Sequence, residues 1–330
     1  MTMTQPEILR AEDLYHVYET EAVDGNVVGL RGIYITVNQK EVVSVVGPSG
    51  SGKSTLMKCL GGLMKPSAGD IFFEGKSISR LNSSELLNLR QRTVSFIFQD
   101  SNLLPYMNIV NNVALPLKYL QINPSQARRE AMVLLDRLGI TAQSKMLPSQ
   151  VSGGEKQRAA IARALITKPR IILADEPTGS VDPITSRDIL RLFREIINEL
   201  NVSFLIVTHS SEIAAFGDRS LELIDGRFVA EHGANIDISN LSDTRRIILD
   251  RTGNMTLPPE VLRGIGGPGV FDVTNVTKDE LSIMRVIEEG NEPESRLIGP
   301  SAICPACGYN YESVEADTCS RCGALRTHRN

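Results

Sequence analysis

The chain has 330 residues, a formal net charge of -4 and 42% hydrophobic content. That is long enough for one full-sized domain plus one or two small ones, and apolar enough for packed cores. The negative balance speaks against a globally basic nucleic-acid binder. The longest apolar stretches, such as Ile171 to Ala174, fall far short of the roughly 20 residues that cross a bilayer.

Met1 to Arg10 shows no basic region followed by an apolar core, so no secretory signal is expected and the chain should stay in the cytoplasm. Any membrane association would be borrowed from a partner. From Leu9 to about Ala230, strand-length apolar runs alternate with longer helical patterns: Val42 to Val46 then Thr55 to Leu63, and Ile171 to Ala174 then Ile184 to Leu200. This alternation predicts an α/β domain of parallel strands and crossover helices over residues 1–230.

Gly47-Pro48-Ser49-Gly50-Ser51-Gly52-Lys53-Ser54 matches G-x-x-x-x-G-K-[ST] between a predicted strand and a predicted helix. Gly47, Gly50 and Gly52 let the backbone wrap closely around phosphate, so that N–H groups and a helix N-terminus face negative charge. Lys53 should reach the β- and γ-phosphates and the Ser54 hydroxyl should ligate Mg²⁺. Ser49 and Thr55 belong to the same predicted phosphate-binding set. Cys59, alone in the apolar helical stretch that follows, is expected to be a buried, inert thiol.

Gln99 ends another strand, in Phe96-Ile97-Phe98-Gln99. Val151-Ser152-Gly153-Gly154-Glu155-Lys156-Gln157-Arg158, followed by the small and apolar run Ala159 to Leu165, reads as a helix N-terminus presenting a hydroxyl and free N–H groups. Ile171 to Asp175 and Glu176 form a buried strand that delivers two carboxylates to its C-terminal edge, where ligands bind in open α/β sheets. Asp175 should hold Mg²⁺ through water, and Glu176 should orient the attacking water as general base or positioning residue. His209 ends the next strand, in Ile206-Val207-Thr208-His209.

The Val151 to Arg158 string resembles the signature motif of ABC ATPases, although the usual first residue is Leu. The resemblance covers about residues 8 to 230. It implies a RecA-like core with a helical subdomain, ATP and Mg²⁺ as ligands, and an active ATPase. It further implies a homodimer that sandwiches two ATP molecules, with Ser152 and the backbone of Gly153 and Gly154 touching the γ-phosphate in trans. By the same resemblance Gln99 senses Mg²⁺ and the attacking water, and His209 contacts the γ-phosphate. Asp182 belongs to the loop that crosses the dimer interface. Tyr18 matches the aromatic residue that stacks on adenine, with Tyr15 close by.

Gln99 to Val113, Leu115-Pro116-Leu117 and Ala174 to Asp182 look like the lipoprotein-release and macrolide-export branch of that family, which also includes a cell-division ATPase. The branch implies a separate transmembrane permease, whose coupling helix is received after Gln99. Leu103, Leu104, Tyr106 and Met107 would suit such a groove. Both extrusion and mechanotransmission are open. The rival reading is a soluble ABC ATPase acting on nucleic acid or ribosomes, against which stand the net charge and the absence of a long coiled-coil insertion.

Composition changes past Ala230. Residues 231–243 read as a polar linker, 244–288 as a small β-rich segment, 289–301 as a second linker and 302–325 as a zinc ribbon. Ile248 to Ile265 has a strand, a Gly turn, a second strand and a Pro-initiated helix, and Val270 to Val273 a further strand. It resembles the swapped-hairpin fold of AbrB-like transcription regulators, which would serve dimerisation here; an unrelated β-rich extension is the alternative. Cys304, Cys307, Cys319 and Cys322 form two CxxC knuckles with eleven residues between them. Four thiolates can close a tetrahedral structural Zn²⁺ site. Redox dithiols or disulfides are the competing reading, and His328 is not expected to be a ligand.

Overall fold

The apolar runs Val42–Val46, Ile171–Asp175 and Ser203–Thr208 are buried almost throughout, as parallel strands covered on both faces must be. The computed structural model describes residues 6–19, 26–179, 181–233, 245–248, 255–257, 259–265, 267, 271–277 and 281–285. The chain divides into two units, Met1–Pro259 and Glu260–Asn330.

In chain order the first unit has β1 (Glu7–Tyr18), β2 (Val27–Asn38), β3 (Val42–Val46), α1 (Lys53–Leu60), β4 (Ala68–Phe73), β5 (Lys76–Ser77) and α2 (Ser83–Arg92). There follow β6 (Val94–Ile97), α3 (Ile109–Tyr119), α4 (Pro124–Arg137), a short 3₁₀ turn at Pro148–Gln150, α5 (Gly153–Leu165) and β7 (Ile171–Asp175). It continues with α6 (Pro183–Leu200), β8 (Ser203–Thr208), α7 (Ser211–Phe216), β9 (Arg219–Ile224), β10 (Arg227–His232) and β11 (Arg245–Ile247).

Two sheets organise these elements. β2-β1-β4-β5 is antiparallel, and β11-β10-β9-β3-β8-β7-β6 is mixed. Within the mixed sheet β9, β3, β8, β7 and β6 run parallel, while β10 and β11 add antiparallel strands at one edge.

The period of two along each central strand divides the core. Val42, Ile172, Ala174, Phe204 and Ile206 pack into one apolar cluster with residues of α3, α4, α5 and α6. Val43, Val45, Ile171, Leu173, Leu205 and Val207 pack into the other, against α1, β1 and β2. α3, α4 and α5 also pack on one another, forming the expected helical subdomain beside the α/β core.

Local chemistry starts the helices where the sequence allows. Asn82 with Glu85, and Ser152 with Glu155, form capping boxes at α2 and α5. Asn108, Asn123 and Asp182 cap α3, α4 and α6, the last two followed by Pro at the first turn.

Arg245–Ile247, which the sequence assigns to the start of the small β-rich segment, joins the large sheet. Ala230 pairs with Ile247 and His232 with Arg245, and Ile248 packs on the second core cluster. α8 (Pro259–Gly264) begins at the last residue of the first unit, and within the second unit β12 (Phe271–Val276) and β13 (Leu281–Arg285) form an antiparallel pair. Cys304, Cys307, Cys319, Cys322 and His328 lie outside the described residues. Among the described residues no cluster of His, Cys, Asp and Glu could hold a metal, and no helix is long and apolar enough to cross a membrane. Cys59 is buried and free, and burial pushes its thiol up to about 11.

Candidate active site

Three parallel strands end beside one another and release their loops at the same edge of the sheet. β3 runs into the loop 47–52 and α1, β7 into Glu176, and β8 into His209. One cleft of about 450 Å³ results, lined by Tyr18, Ser49, Gly50, Gly52, Lys53, Ser54, Thr55, Gln99, Asp175, Glu176 and His209. Val27, Val28 and Gly29 of β2 complete it. Eleven predicted residues spread over nearly 200 positions therefore meet in one place.

The phosphate loop can be built only with glycine at its key turns. Gly52 has φ +104, and a Cβ there would come within 2.5 Å of the Gly29 carbonyl oxygen. At Gly47 a Cβ would sit 2.1 Å from the Leu223 carbonyl oxygen. Lys53 Nζ donates to the carbonyls of Gly47 and Pro48 at 2.8 and 2.9 Å, which anchors the ammonium at the mouth of the loop. With the N-terminal N–H groups of α1, it makes this end of the cleft attractive to phosphate.

Opposite stand the carboxylates. Ser54 Oγ lies 3.4 Å from Asp175 Oδ2, with Gln99 on the same cleft. These hydroxyl, carboxylate and amide oxygens are hard donors that suit Mg²⁺. Burial and the adjacent Glu176 push the Asp175 carboxyl above its ordinary range, against the pull of Ser54, Lys53 and Lys58. Lost solvation and a like charge are what a bound cation would relieve.

Glu176 is buried and tightly held. Its Oε2 accepts from Thr208 Oγ1 at 3.0 Å, and His209 Nδ1 lies 2.7 Å from Oε1. A carboxylate only accepts, so Nδ1 carries the proton in this contact and Nε2 of a neutral ring remains an acceptor. The Glu176 backbone has φ +46 and its N–H donates to Val207 O at 2.9 Å. A left-handed backbone at a non-glycine residue is strained, and surrounding structure must hold it.

Tyr18, and not Tyr15, lines the cleft. Its hydroxyl is 2.9 Å from Thr55 Oγ1, and its ring meets His16 edge-on with centroids 4.6 Å apart. Tyr15 instead turns its hydroxyl toward Gly32.

Ser152, Gly153, Gly154 and Asp182 do not line this cleft. Ser152 is the exposed N-cap of α5: its N–H and hydroxyl both donate to Glu155 Oε2, at 2.7 and 2.9 Å. Asp182 caps α6, accepting from the N–H groups of Ile184 and Thr185. Gly154 faces Thr185, so the starts of α5 and α6 adjoin. Motif reading did not single out Thr208, Gln157, or the β2 residues Val27, Val28 and Gly29. A hydroxyl inside a buried strand and small residues in an edge strand carry no distinguishing pattern.

Leu103 packs on the core, whereas Tyr106 is 75% exposed. A separate groove of about 550 Å³ lies between α2, β6, α3 and α5, with Leu87, Phe96, Phe98, Leu115, Pro116 and Tyr119 among its walls.

Residues 30–179 match the family model described as ABC transporter. The lipoprotein-releasing system ATP-binding protein LolD of Bacteroides thetaiotaomicron is 40% identical over 202 residues, spanning 61% of this chain and 93% of that protein. The macrolide export ATP-binding/permease protein MacB of Burkholderia pseudomallei is 43% identical over 210 residues, 64% of this chain and 32% of that one. A dimeric ATP-binding cassette solved in a post-hydrolysis state with ADP and Pi aligns with a TM-score of 0.65 at 32% identity, covering 68% of this chain and 98% of that chain.

Proposed function

Since the chain belongs to the ABC transporter family and is an ATP-binding, ATP-hydrolysing subunit, we propose that it works as a homodimer driving a separate transmembrane permease from the inner face of the cell membrane. The observation that carries this reading is the division of the site. The phosphate loop, Asp175, Glu176, Gln99 and His209 share one cleft, while Ser152, Gly153 and Gly154 lie outside it at an exposed helix start. A second copy supplies what the first lacks.

In this mechanism Lys53 and the loop N–H groups bind the phosphates, and the Tyr18 ring stacks on adenine. Ser54 and Gln99, with Asp175 through water, would hold Mg²⁺, which would supply charge neutralisation on the phosphate oxygens. Glu176 orients and polarises the attacking water, and His209 fixes Glu176 while reaching for the γ-phosphate. From the facing subunit, Ser152 with the N–H groups of Gly153 and Gly154 closes on the same phosphate, and Asp182 stands at the crossing between subunits. Closure of the pair is the stroke that the permease receives.

Likeness to LolD and MacB supports the lipoprotein-release and macrolide-export branch, with extrusion and force transmission both within its range. The apolar groove beside Leu115 and Tyr119 suits a coupling helix. Purification of the tagged chain from native membranes should recover a multi-spanning membrane protein. Recovery of ribosomes or DNA alone would overturn the proposal in favour of a soluble ABC ATPase.

Cysteine spacing supports one structural Zn²⁺ per chain at Cys304, Cys307, Cys319 and Cys322. Elemental analysis of the purified chain should find it, and a metal-free reduced protein would discard it.

A further inference from the structure

Gln157 is fully buried, does not line the nucleotide cleft, and spends both ends of its amide on the two segments that flank hydrolysis. Its Nε2 donates to the Pro177 carbonyl at 2.7 Å, one residue beyond Glu176. Its Oε1 accepts from Ser101 Oγ at 3.1 Å, two residues beyond Gln99. Both bonds start from α5, the helix that opens with Ser152. Arg163, two turns further along α5, reinforces the grip by donating to the carbonyls of Ser101 and Asn102 at 2.8 and 2.6 Å.

What this amide restrains is an unfavourable backbone. A residue before proline is pushed toward extended conformations, yet Glu176 precedes Pro177 with φ +46. The turn is closed by Gly179 N–H donating to Glu176 O at 3.0 Å, and Glu176 N–H is tied to β8. Neither bond reaches the Pro177 carbonyl, and Pro177 has no N–H of its own. Gln157 is the side chain that fixes the far side of that peptide. We propose that Gln157 is a positioning residue for ATP hydrolysis, converting the placement of the signature helix α5 into the aim of the Glu176 carboxylate. Movement of α5 when Ser152 engages the facing subunit's nucleotide then pulls on the segments after Gln99 and after Glu176 at once. The inference rests on Glu176 being the water-orienting carboxylate, which Glu176→Gln tests separately.

Steady-state hydrolysis by the full chain, alongside binding of a fluorescent ATP analogue, decides it. Gln157→Met keeps the volume and removes both hydrogen bonds. Its kcat should fall about tenfold, the rate equivalent of one buried hydrogen bond, while KM and analogue affinity stay within about twofold. Gln157→Glu sets an oxygen against the Pro177 carbonyl when ionised and an O–H donor when protonated. Its kcat relative to wild type should therefore rise as pH is lowered from about 8.5 to about 6, a recovery that a packing defect would not give. If Gln157→Met does not fold, Ser101→Ala takes its place with the same expected split between kcat and KM. A folded Gln157→Met with wild-type kcat, or a Gln157→Glu ratio flat with pH, overturns the proposal. Should Glu176→Gln turn over freely, the assignment of Glu176 fails instead.

Discussion

His209 Nδ1 lies 2.7 Å from Glu176 Oε1, while Thr208 Oγ1 holds the other carboxylate oxygen at 3.0 Å. The two partners are neighbours in sequence, at the end of β8, and the carboxylate comes from the end of β7. Glu176 is 7% exposed and the His209 side chain 72%, so the ring bridges from a buried acid to the open cleft. Glu176→Gln should lower kcat by about 10²-fold or more and leave nucleotide affinity intact. His209→Ala should do likewise, since it frees Oε1 and removes the group proposed to reach the γ-phosphate. Thr208→Ala, which leaves His209 in place, should cost only a few-fold. Phosphate-release assays with parallel nucleotide titrations separate the three, and an equal loss in all of them would contradict this ranking.

Tyr18 offers a test of base recognition. A stacked base is worth roughly 1–3 kcal/mol by alanine substitution, or about 5- to 150-fold in affinity. Tyr18→Ala should weaken ATP binding within that range. Tyr18→Phe keeps the ring and loses only the hydroxyl's contacts with Thr55 Oγ1 and Met64 Sδ, so it should stay within a few-fold. Tyr15→Ala should leave the affinity for ATP unchanged, because Tyr15 does not line the cleft.

Gly52 gives a steric prediction. At φ +104, with the Gly29 carbonyl oxygen 2.5 Å from where a Cβ would sit, Gly52→Ala must displace either the phosphate loop or β2, and both line the cleft. The variant should lose about 1–3 kcal/mol of stability and most of its ATP affinity. Thermal melts with and without ATP would show a lower Tm and a much smaller ligand-induced rise.

Glu155 predicts a pH-dependent stability difference. The Ser152 N–H, then the Ser152 hydroxyl, hold its carboxyl below the ordinary value of 4.5. The folded state thus binds this proton less readily than the unfolded chain. The stabilisation is fully present above about 4.5 and is lost as pH falls through the depressed folded value. Glu155→Ala should be about 1 kcal/mol less stable than wild type at neutral pH, the usual scale of a helix cap, with the gap closing in acid. Urea unfolding followed by circular dichroism at neutral and acidic pH measures it; a gap that widens on acidification would contradict the assignment.

The sequence by itself determined the strand and helix alternation over the first 230 residues, the loop 47–54, the paired carboxylates and the helix start at Ser152. Each is a local property: an apolar period, a glycine where φ is positive, a side-chain oxygen within reach of the next free N–H groups. Tertiary structure decided what depends on distance between strands. Only the order β9-β3-β8-β7-β6 sets Thr208 and His209 against Glu176, and only the packing of α5 under the Gln99 segment carries the Gln157 amide to Pro177. That Tyr18, the aromatic residue the resemblance names, lines the cleft and Tyr15 does not follows from which ring β1 turns toward the phosphate loop, and the pairing of Arg245–Ile247 with β10 from an open sheet edge. Hydrogen bonds between residues far apart in sequence leave no pattern along the chain, because many residue types at those positions would satisfy the same local rules.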